Sequence, residues 1–494
     1  MTKSKNILAL GLALLILACN NKQIQPAAPE IPVTNLTVDV SSVVRVLSGK
    51  ELGINVNYLM DDAVLSGNDH DKTAESLKQM GIKILRYPGG EKSDNYYFSS
   101  PPYSTAAPRT AFCTFPTTDA RFYNPDQTAR SEVLDFDEFM SVCDKTQAQP
   151  LVVVAYDAMY SPWTCGPKPT KSQLLANAVE WVRYANITKK HGIKLWMIGN
   201  ESWLETSYNG FTTASQYAKD VAEFADAMRS VDPSIKIVVN GKADWWPALL
   251  NGPSASRIDY LAVSNYLPIQ ISSYETYRRY TGSLNTETDL AIAAINNAAS
   301  AADKERIGVI ESEYNSIDFL NKTWPNRNNL GHALCSFEML AESVSKPKLH
   351  TACLWTTRWI ENTSGPQALN LYDAVKPNGQ LNATGISMGI LGNHLLESMV
   401  TTTSTGRVKC YATYAKDSKH LNLFILNRET SVQRVKMNIS SFVNSYRFDR
   451  WGFTGTSTDD AAPSWVKTTE NQAGSGDLDF TLPANSITML VCKP

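Results

Sequence analysis

The chain has 494 residues, a formal net charge of −2, 43% hydrophobic residues and 19% charged ones. That length exceeds one ordinary core and calls for two domains, or a large barrel with an appendage. The near-balanced charge, with no run of Lys and Arg, argues against a polyanion-binding surface, so nucleic acid is not an expected partner.

Lys3 and Lys5 precede an apolar stretch from Ile7 to Ala18, followed by Cys19 and a polar run. The stretch falls short of the ~20 residues that span a bilayer as a helix, so it reads as a targeting segment. Leu15-Ile16-Leu17-Ala18-Cys19 resembles a bacterial lipobox, in which the cysteine is lipidated and becomes the mature N-terminus. Residues 1–19 are therefore expected to be a lipoprotein signal, with an ordinary secretory signal as the alternative. Residues 20–33, rich in Asn, Gln and Pro, read as a flexible tether. The expected location is the bacterial cell envelope, with membrane contact through a lipid anchor only. Among the other cysteines, Cys143, Cys335, Cys353, Cys410 and Cys492 fall in apolar patterns and read as buried thiols. Cys113 and Cys165 lie in polar loops and could pair in an oxidising compartment. No CxxC spacing and only 6 His make a structural zinc site unexpected.

From residue 51 the chain alternates apolar β-type runs with amphipathic helical patterns. The runs 51–57, 82–87, 150–156, 194–200, 235–240, 260–266, 307–313 and 351–356 read as strands. Segments 71–80, 135–147, 172–191, 213–231, 286–302 and 328–345 read as helices between them, with Asp232-Pro233 stopping the fourth. This order predicts an α/β fold, a (β/α)8 TIM barrel over residues 49–399. A doubly wound open sheet competes, but its glycine-rich first turn is missing. Residues 378–399 read as the last helix, with Leu391, Leu395 and Leu396 on one stripe. Beyond residue 400 short alternating strands appear, including 409–414, 421–426, 435–439 and 486–491, divided by polar turns. They predict an all-β sandwich over 400–494. The alternating stretch Leu36–Leu47, within residues 34–48, is expected to add a strand to it.

Two of the barrel runs end abruptly in an acid. Residues 194–201 read Lys-Leu-Trp-Met-Ile-Gly-Asn-Glu, and residues 307–315 read Ile-Gly-Val-Ile-Glu-Ser-Glu-Tyr-Asn. Desolvating a carboxylate costs several kcal/mol, so one at the mouth of a buried strand needs a use. In a barrel, Glu201 would end strand four and Glu313 strand seven, facing each other where such folds carry their sites. Two carboxylates there are the minimum equipment for glycoside hydrolysis. Glu311 is the rival to Glu313, because side chains alternate with period two and both could point inward. Arg86 is a candidate to hold Glu313 ionised, or to form a structural salt bridge at the rim. Tyr266 and Trp355 end strands six and eight, where a ring can orient a nucleophile or form a sugar platform. Trp163, Trp203, Trp245 and Trp246 are further subsite candidates in loops; the 11 Trp and 21 Tyr of the chain suit sugar stacking, although many must be core. Gly89-Gly90 is followed by no Lys-Ser/Thr, so a nucleotide loop is rejected. There is no Ser-His-Asp signature, and two carboxylates need neither metal nor cofactor.

Gly199-Asn200-Glu201 resembles clan A of the glycoside hydrolases, whose acid/base Glu follows an Asn at strand four. Leu85-Arg86-Tyr87-Pro88-Gly89-Gly90 is similar to the second-strand motif of the family 51 α-L-arabinofuranosidases. Ser312-Glu313-Tyr314-Asn315 looks like that family's Asp-Glu-Trp-Asn nucleophile motif, and the stretch Leu482–Leu490 looks like the end of its C-terminal β-domain. The resemblance covers roughly residues 45–494. It implies a retaining hydrolase acting on oligo- or polysaccharide, with Glu313 as nucleophile, Glu201 as acid/base and Asn200 hydrogen-bonding the sugar 2-hydroxyl. Two departures bear on the substrate. Ser264 stands where the family has a His two residues before the Tyr, and Ser312 replaces the Asp of the nucleophile motif. A different pentose, a hexose or cleavage inside a plant or algal polymer is therefore the alternative within the enzyme class. A non-catalytic glycan-binding lipoprotein is the alternative outside it, disfavoured because a binding module has no need of the Glu pair.

Overall fold

The computed structural model describes residues 31–59, 61, 70–111, 122–131, 133–162, 167–204, 212–298, 300–359, 370–404 and 406–494. The expected signal, most of the tether, Cys19, Cys113, Trp163 and Cys165 lie outside the described residues.

The first strand, β1 (Val33–Val46), precedes the barrel. The barrel strands are β2 (Leu52–Asn55), β3 (Ile84–Tyr87), β6 (Gln149–Val154), β7 (Leu195–Ile198), β8 (Lys236–Asn240), β9 (Tyr260–Asn265), β10 (Gly308–Tyr314) and β11 (Leu349–Leu354). Between β3 and β6 a loop carries the two-residue strands β4 (Tyr96–Tyr97) and β5 (Arg109–Thr110). The eight barrel strands close in the order β10-β11-β2-β3-β6-β7-β8-β9, all parallel. Parallel strands sandwiched between an inner core and an outer helical layer are apolar on both faces. That is why Leu195-Trp196-Met197-Ile198 is buried throughout. The interior is filled by Ile84, Leu151, Val153, Leu195, Met197, Val238, Ala262, Ile310 and Cys353.

The helices start on recognisable caps: Asp135 with Glu138, and Thr170 with Gln173, form reciprocal capping boxes. Two expected helices differ in extent. The segment 286–302 splits into Thr286–Asn296 and Ala301–Arg306, the second capped by Ser300. The last helix is Ala383–Gly392 and does not continue to residue 399, so Leu395 and Leu396 are off its stripe. Asn393 ends it, its side chain donating to the Gln79 carbonyl at 2.7 Å, and the chain then turns into a strand.

That strand is β12 (Ser398–Thr402), followed by β13 (Val408–Ala415), β14 (His420–Asn427), β15 (Gln433–Asn438), β16 (Ser445–Thr454), β17 (Ser464–Ser475), β18 (Leu478–Leu482) and β19 (Ser486–Lys493). They order as β17-β16-β19-β14-β13-β12-β1-β15-β18. β1 runs parallel to β15 over Val33–Thr37 and antiparallel to β12 over Val38–Val46, so one strand joins both layers, with bulges inside the second pairing. Leu36, Val38, Val400, Leu423, Ile425, Val435 and Leu490 are part of the core between the layers. The five cysteines read as buried thiols are buried and free.

Candidate active site

The seventh barrel strand decides which acid reaches the mouth. With Ile310 inside the barrel, simple alternation would leave both Glu311 and Glu313 outside it. The register of β10 against β9 slips between them: Glu311 pairs with Val263 but Glu313 pairs with the next residue, Ser264. This bulge at Ser312 inserts one residue and turns Glu313 inward. The open reading, that Glu311 could point inward as well as the chosen Glu313, is therefore removed. Glu311 points into the helical layer, where Oε1 accepts hydroxyl hydrogen bonds of 2.6 Å from Thr288 and from Ser343. Burial pushes its carboxyl up to about 7.

Glu313 is held from both sides. Arg86 Nη1, at the end of β3, donates to Oε1 at 3.0 Å, and the Tyr266 hydroxyl donates to Oε2 at 2.6 Å. Arg86 is fully buried, and it also donates to Asn55 Oδ1 at 2.7 Å and to Asn200 Oδ1 at 2.5 Å. A buried guanidinium survives only with such a set of acceptors. Burial and the charges of Glu313 and Glu201 hold the Tyr266 phenol well above its ordinary value, so it stays a neutral donor. Arg86 thus links the ends of strands two, four and seven in one charged network.

Glu201 follows β7 with a left-handed backbone, φ 47°, that non-glycine residues adopt only under local constraint. Its carboxyl is pushed up to about 8, first by burial and then by the charge of Glu313. The neighbouring Ser264 hydroxyl and the more distant Arg86 work the other way. Glu201 is therefore held towards its protonated form beside a carboxylate ion-paired with Arg86, two carboxyls in contrasting surroundings.

Glu201 opens onto a cavity of about 640 Å³ lined also by Trp203, Ser264, Tyr266, Phe319 and Glu287 among others. Trp203 is half-buried on its wall. Trp355 is 8% exposed and packs on Trp359 with ring centroids 5.4 Å apart. Gly90, at φ 60°, lets that ring approach, since a Cβ there would run into it. Trp245 and Trp246, proposed as subsite residues, are core instead: Trp246 packs on Gly241 and Trp245 on Tyr217. Their loop position did not reveal that Trp245 precedes and Trp246 opens a short helix, Trp246–Asn251, where both are buried.

Sequence reasoning also missed Asn55, which ends β2 and donates to the Ser312 and Leu354 carbonyls while accepting from Arg86. A lone Asn closing an apolar strand was the available signal. Asp94 and Asp157, both fully buried behind Asn200, were missed as well. Among the described residues no group of three or more His, Cys, Asp and Glu side chains is placed to hold a metal ion.

The barrel and the sandwich are the fold of the family 51 α-L-arabinofuranosidases, and the chain resembles that family. Residues 76–282 match the family described as the alpha-L-arabinofuranosidase 1 domain, a span that includes Arg86, Asn200, Glu201 and Tyr266. The chain is similar to a probable alpha-L-arabinofuranosidase C of Aspergillus clavatus, 25% identical over 192 residues, 35% of this chain and 32% of that protein. It is also similar to the intracellular exo-alpha-(1->5)-L-arabinofuranosidase of Acetivibrio thermocellus, 24% identical over 39% of this chain and 38% of that one. The matches thus span about a third of the length of these relatives. In structure, the alpha-L-arabinofuranosidase of Thermotoga maritima, solved with arabinose, superposes with a TM-score of 0.72 at 18% identity, over 93% of this chain and 100% of that one.

Proposed function

We propose that the protein is a retaining glycoside hydrolase that releases α-L-arabinofuranosyl groups from plant polysaccharide side chains or oligosaccharides. The observation that carries this reading is the split state of two facing carboxyls: Glu313 ion-paired to Arg86 and hydrogen-bonded by Tyr266, Glu201 raised to about 8. Glu313 attacks the anomeric carbon while Glu201 gives its proton to the departing oxygen, leaving a glycosyl ester on Glu313. Glu201, now ionised, takes a proton from water, whose oxygen breaks the ester and regenerates both groups. Asn200, clamped by Arg86 through Oδ1, is the residue assigned to the sugar 2-hydroxyl. Trp355 and Trp203 are assigned to sugar stacking, and no cofactor takes part. A lipid anchor on Cys19 would hold the enzyme at the cell envelope; processing and membrane fractionation of Cys19→Ala test that assignment, and unchanged membrane association would contradict it.

A second reading, endo-acting cleavage of a plant or algal polymer, is favoured by one observation. Ser264 is small, and the cavity runs past it towards Leu284, Thr286 and Glu287. A panel of nitrophenyl glycosides alongside arabinan, arabinoxylan and other polysaccharides separates the two. Release of arabinose from nitrophenyl α-L-arabinofuranoside and from side chains supports the first reading. Oligomers as the sole products overturn it.

A further inference from the structure

The loops after the second and third barrel strands each bury one acid against the Gly199-Asn200-Glu201 turn. Asp94 lies in the short turn Glu91–Asn95 and Asp157 opens the turn Asp157–Tyr160; both are fully buried. They share one donor, the backbone N–H of Asn200, which reaches Asp94 Oδ1 at 3.0 Å and Asp157 Oδ2 at 3.4 Å. Ser202 Oγ, just past Glu201, donates to the same Asp157 Oδ2 at 2.8 Å. Gly199, at φ 69°, is required here, because a Cβ would stand 2.7 Å from that oxygen. The two anchored positions therefore flank Glu201, whose own backbone is left-handed.

Among the described residues the charge on this cluster has no counter-ion: neither acid has a Lys or Arg partner, and Asp94 Oδ2 and Asp157 Oδ1 are buried with no donor. The other groups facing the pair make matters no easier: Glu91 is acidic, while Tyr217 and Tyr156 are phenols held neutral by burial. Two ionised carboxylates in contact in a closed site repel strongly, whereas one proton between them turns repulsion into a hydrogen bond. Burial raises both carboxyls; the charge of Asp157 raises Asp94 further, whereas a hydrogen bond from Asp94 works the other way on Asp157.

We propose that Asp94 and Asp157 share one proton and act as a positioning pair, clamping the backbone on both sides of Glu201 so that the acid/base carboxyl is aimed at the reacting bond. This rests on Glu201 being the acid/base of the proposed reaction. Neither Asp touches substrate; they act through the turn. Loss of the shared proton at high pH places two negative charges behind Asn200 and loosens the clamp.

The test uses D94A and D94N with infrared spectroscopy and pH–rate profiles of the full chain. D94A removes the anchor and is expected to lower kcat on nitrophenyl α-L-arabinofuranoside about 100-fold, as a misplacement of about 1 Å would, with little change in KM. D94N keeps an acceptor for Asn200 and supplies a permanent donor towards Asp157, so it restores all but about threefold of that loss. The alkaline limb of kcat/KM should steepen towards two protons in the wild type, one from Glu201 and one from the pair, and fall with one in D94N. Substrate-free infrared difference spectra, wild type minus D94N at pH 7, should show one protonated-carboxyl C=O band. An active wild type with no such band, or D94N as impaired as D94A, overturns the proposal. A wild type with the band but no turnover of any arabinofuranoside leaves the pair in place and overturns the functional reading instead.

Discussion

The molecule contains two buried triads of the same three residue types. At the barrel mouth, Arg86 and Tyr266 hold Glu313. At the seam with the sandwich, Arg428 stands 3.4 Å from Glu338, and the Tyr277 hydroxyl donates to Glu338 at 2.6 Å. There Arg428 also donates to the Tyr277 and Tyr280 carbonyls, pinning the end of β14 to the barrel helices Tyr274–Arg279 and Leu330–Val344. The difference is what lies beyond each carboxylate. Glu338 is sealed in the seam with Glu342 as its neighbour, whereas Glu313 sits beside Glu201 and Tyr266, which line a cavity. The same buried ion pair is thus a staple in one place and, in the proposed reaction, the setting of the nucleophile in the other. Neither residue type nor a neighbouring carboxyl distinguishes them; the adjoining cavity does.

The comparison is broken most severely by truncating the two acids in turn. Glu313→Ala should lower kcat by at least about 10⁴-fold with an unchanged fold, read by aryl-glycoside kinetics and circular dichroism. Glu338→Ala leaves Arg428 buried without its anion and should cost about 3–5 kcal/mol of stability. Its kcat should stay near wild type below the lowered melting point, as denaturant titration and kinetics together would report. If Glu338→Ala lost activity while keeping its stability, the seam would not be a staple.

The tyrosines sharpen the same contrast on a smaller scale. Tyr266→Phe removes a donor to the reacting carboxylate and should lower kcat about 10²-fold. Tyr277→Phe removes a structural hydrogen bond and should cost about 1–2 kcal/mol of stability with normal kinetics.

The smallest effect concerns Glu201. Its folded carboxyl keeps a proton up to about 8, against an ordinary value of 4.5. The raised value contributes stability that is fully present below 4.5 and is lost as pH rises through about 8. Glu201→Gln abolishes that titration, so its melting point should exceed wild type at pH 9 by on the order of 2 °C more than at pH 4. Wild-type kcat/KM should fall as pH rises through about 8, because the leaving group then finds no proton.

Much of this was legible in the chain itself. Eight apolar runs separated by helical patterns gave the barrel, and acids closing the fourth and seventh runs pointed to the mouth. Arg86 and Tyr266 were found from their places at strand ends. What escaped reading depends on register and packing. A bulge at Ser312 shifts the alternation by one and separates Glu313 from Glu311, and no local propensity marks it. Trp245 and Trp246 turn inward because of how one short helix lies on the barrel. Asp94 and Asp157 meet only because consecutive barrel strands bring their loops together, about sixty residues apart in the chain.

The central claim is that Glu313, and not Glu311, forms the covalent intermediate, and azide rescue tests it most directly. With an activated α-L-arabinofuranoside, Glu313→Ala should be rescued by azide occupying the vacated carboxylate site, giving the glycosyl azide of inverted configuration. Glu201→Ala should instead accumulate the glycosyl-enzyme and give the azide of retained configuration. Inverted azide from Glu311→Ala, with Glu313→Ala still active, would contradict the account.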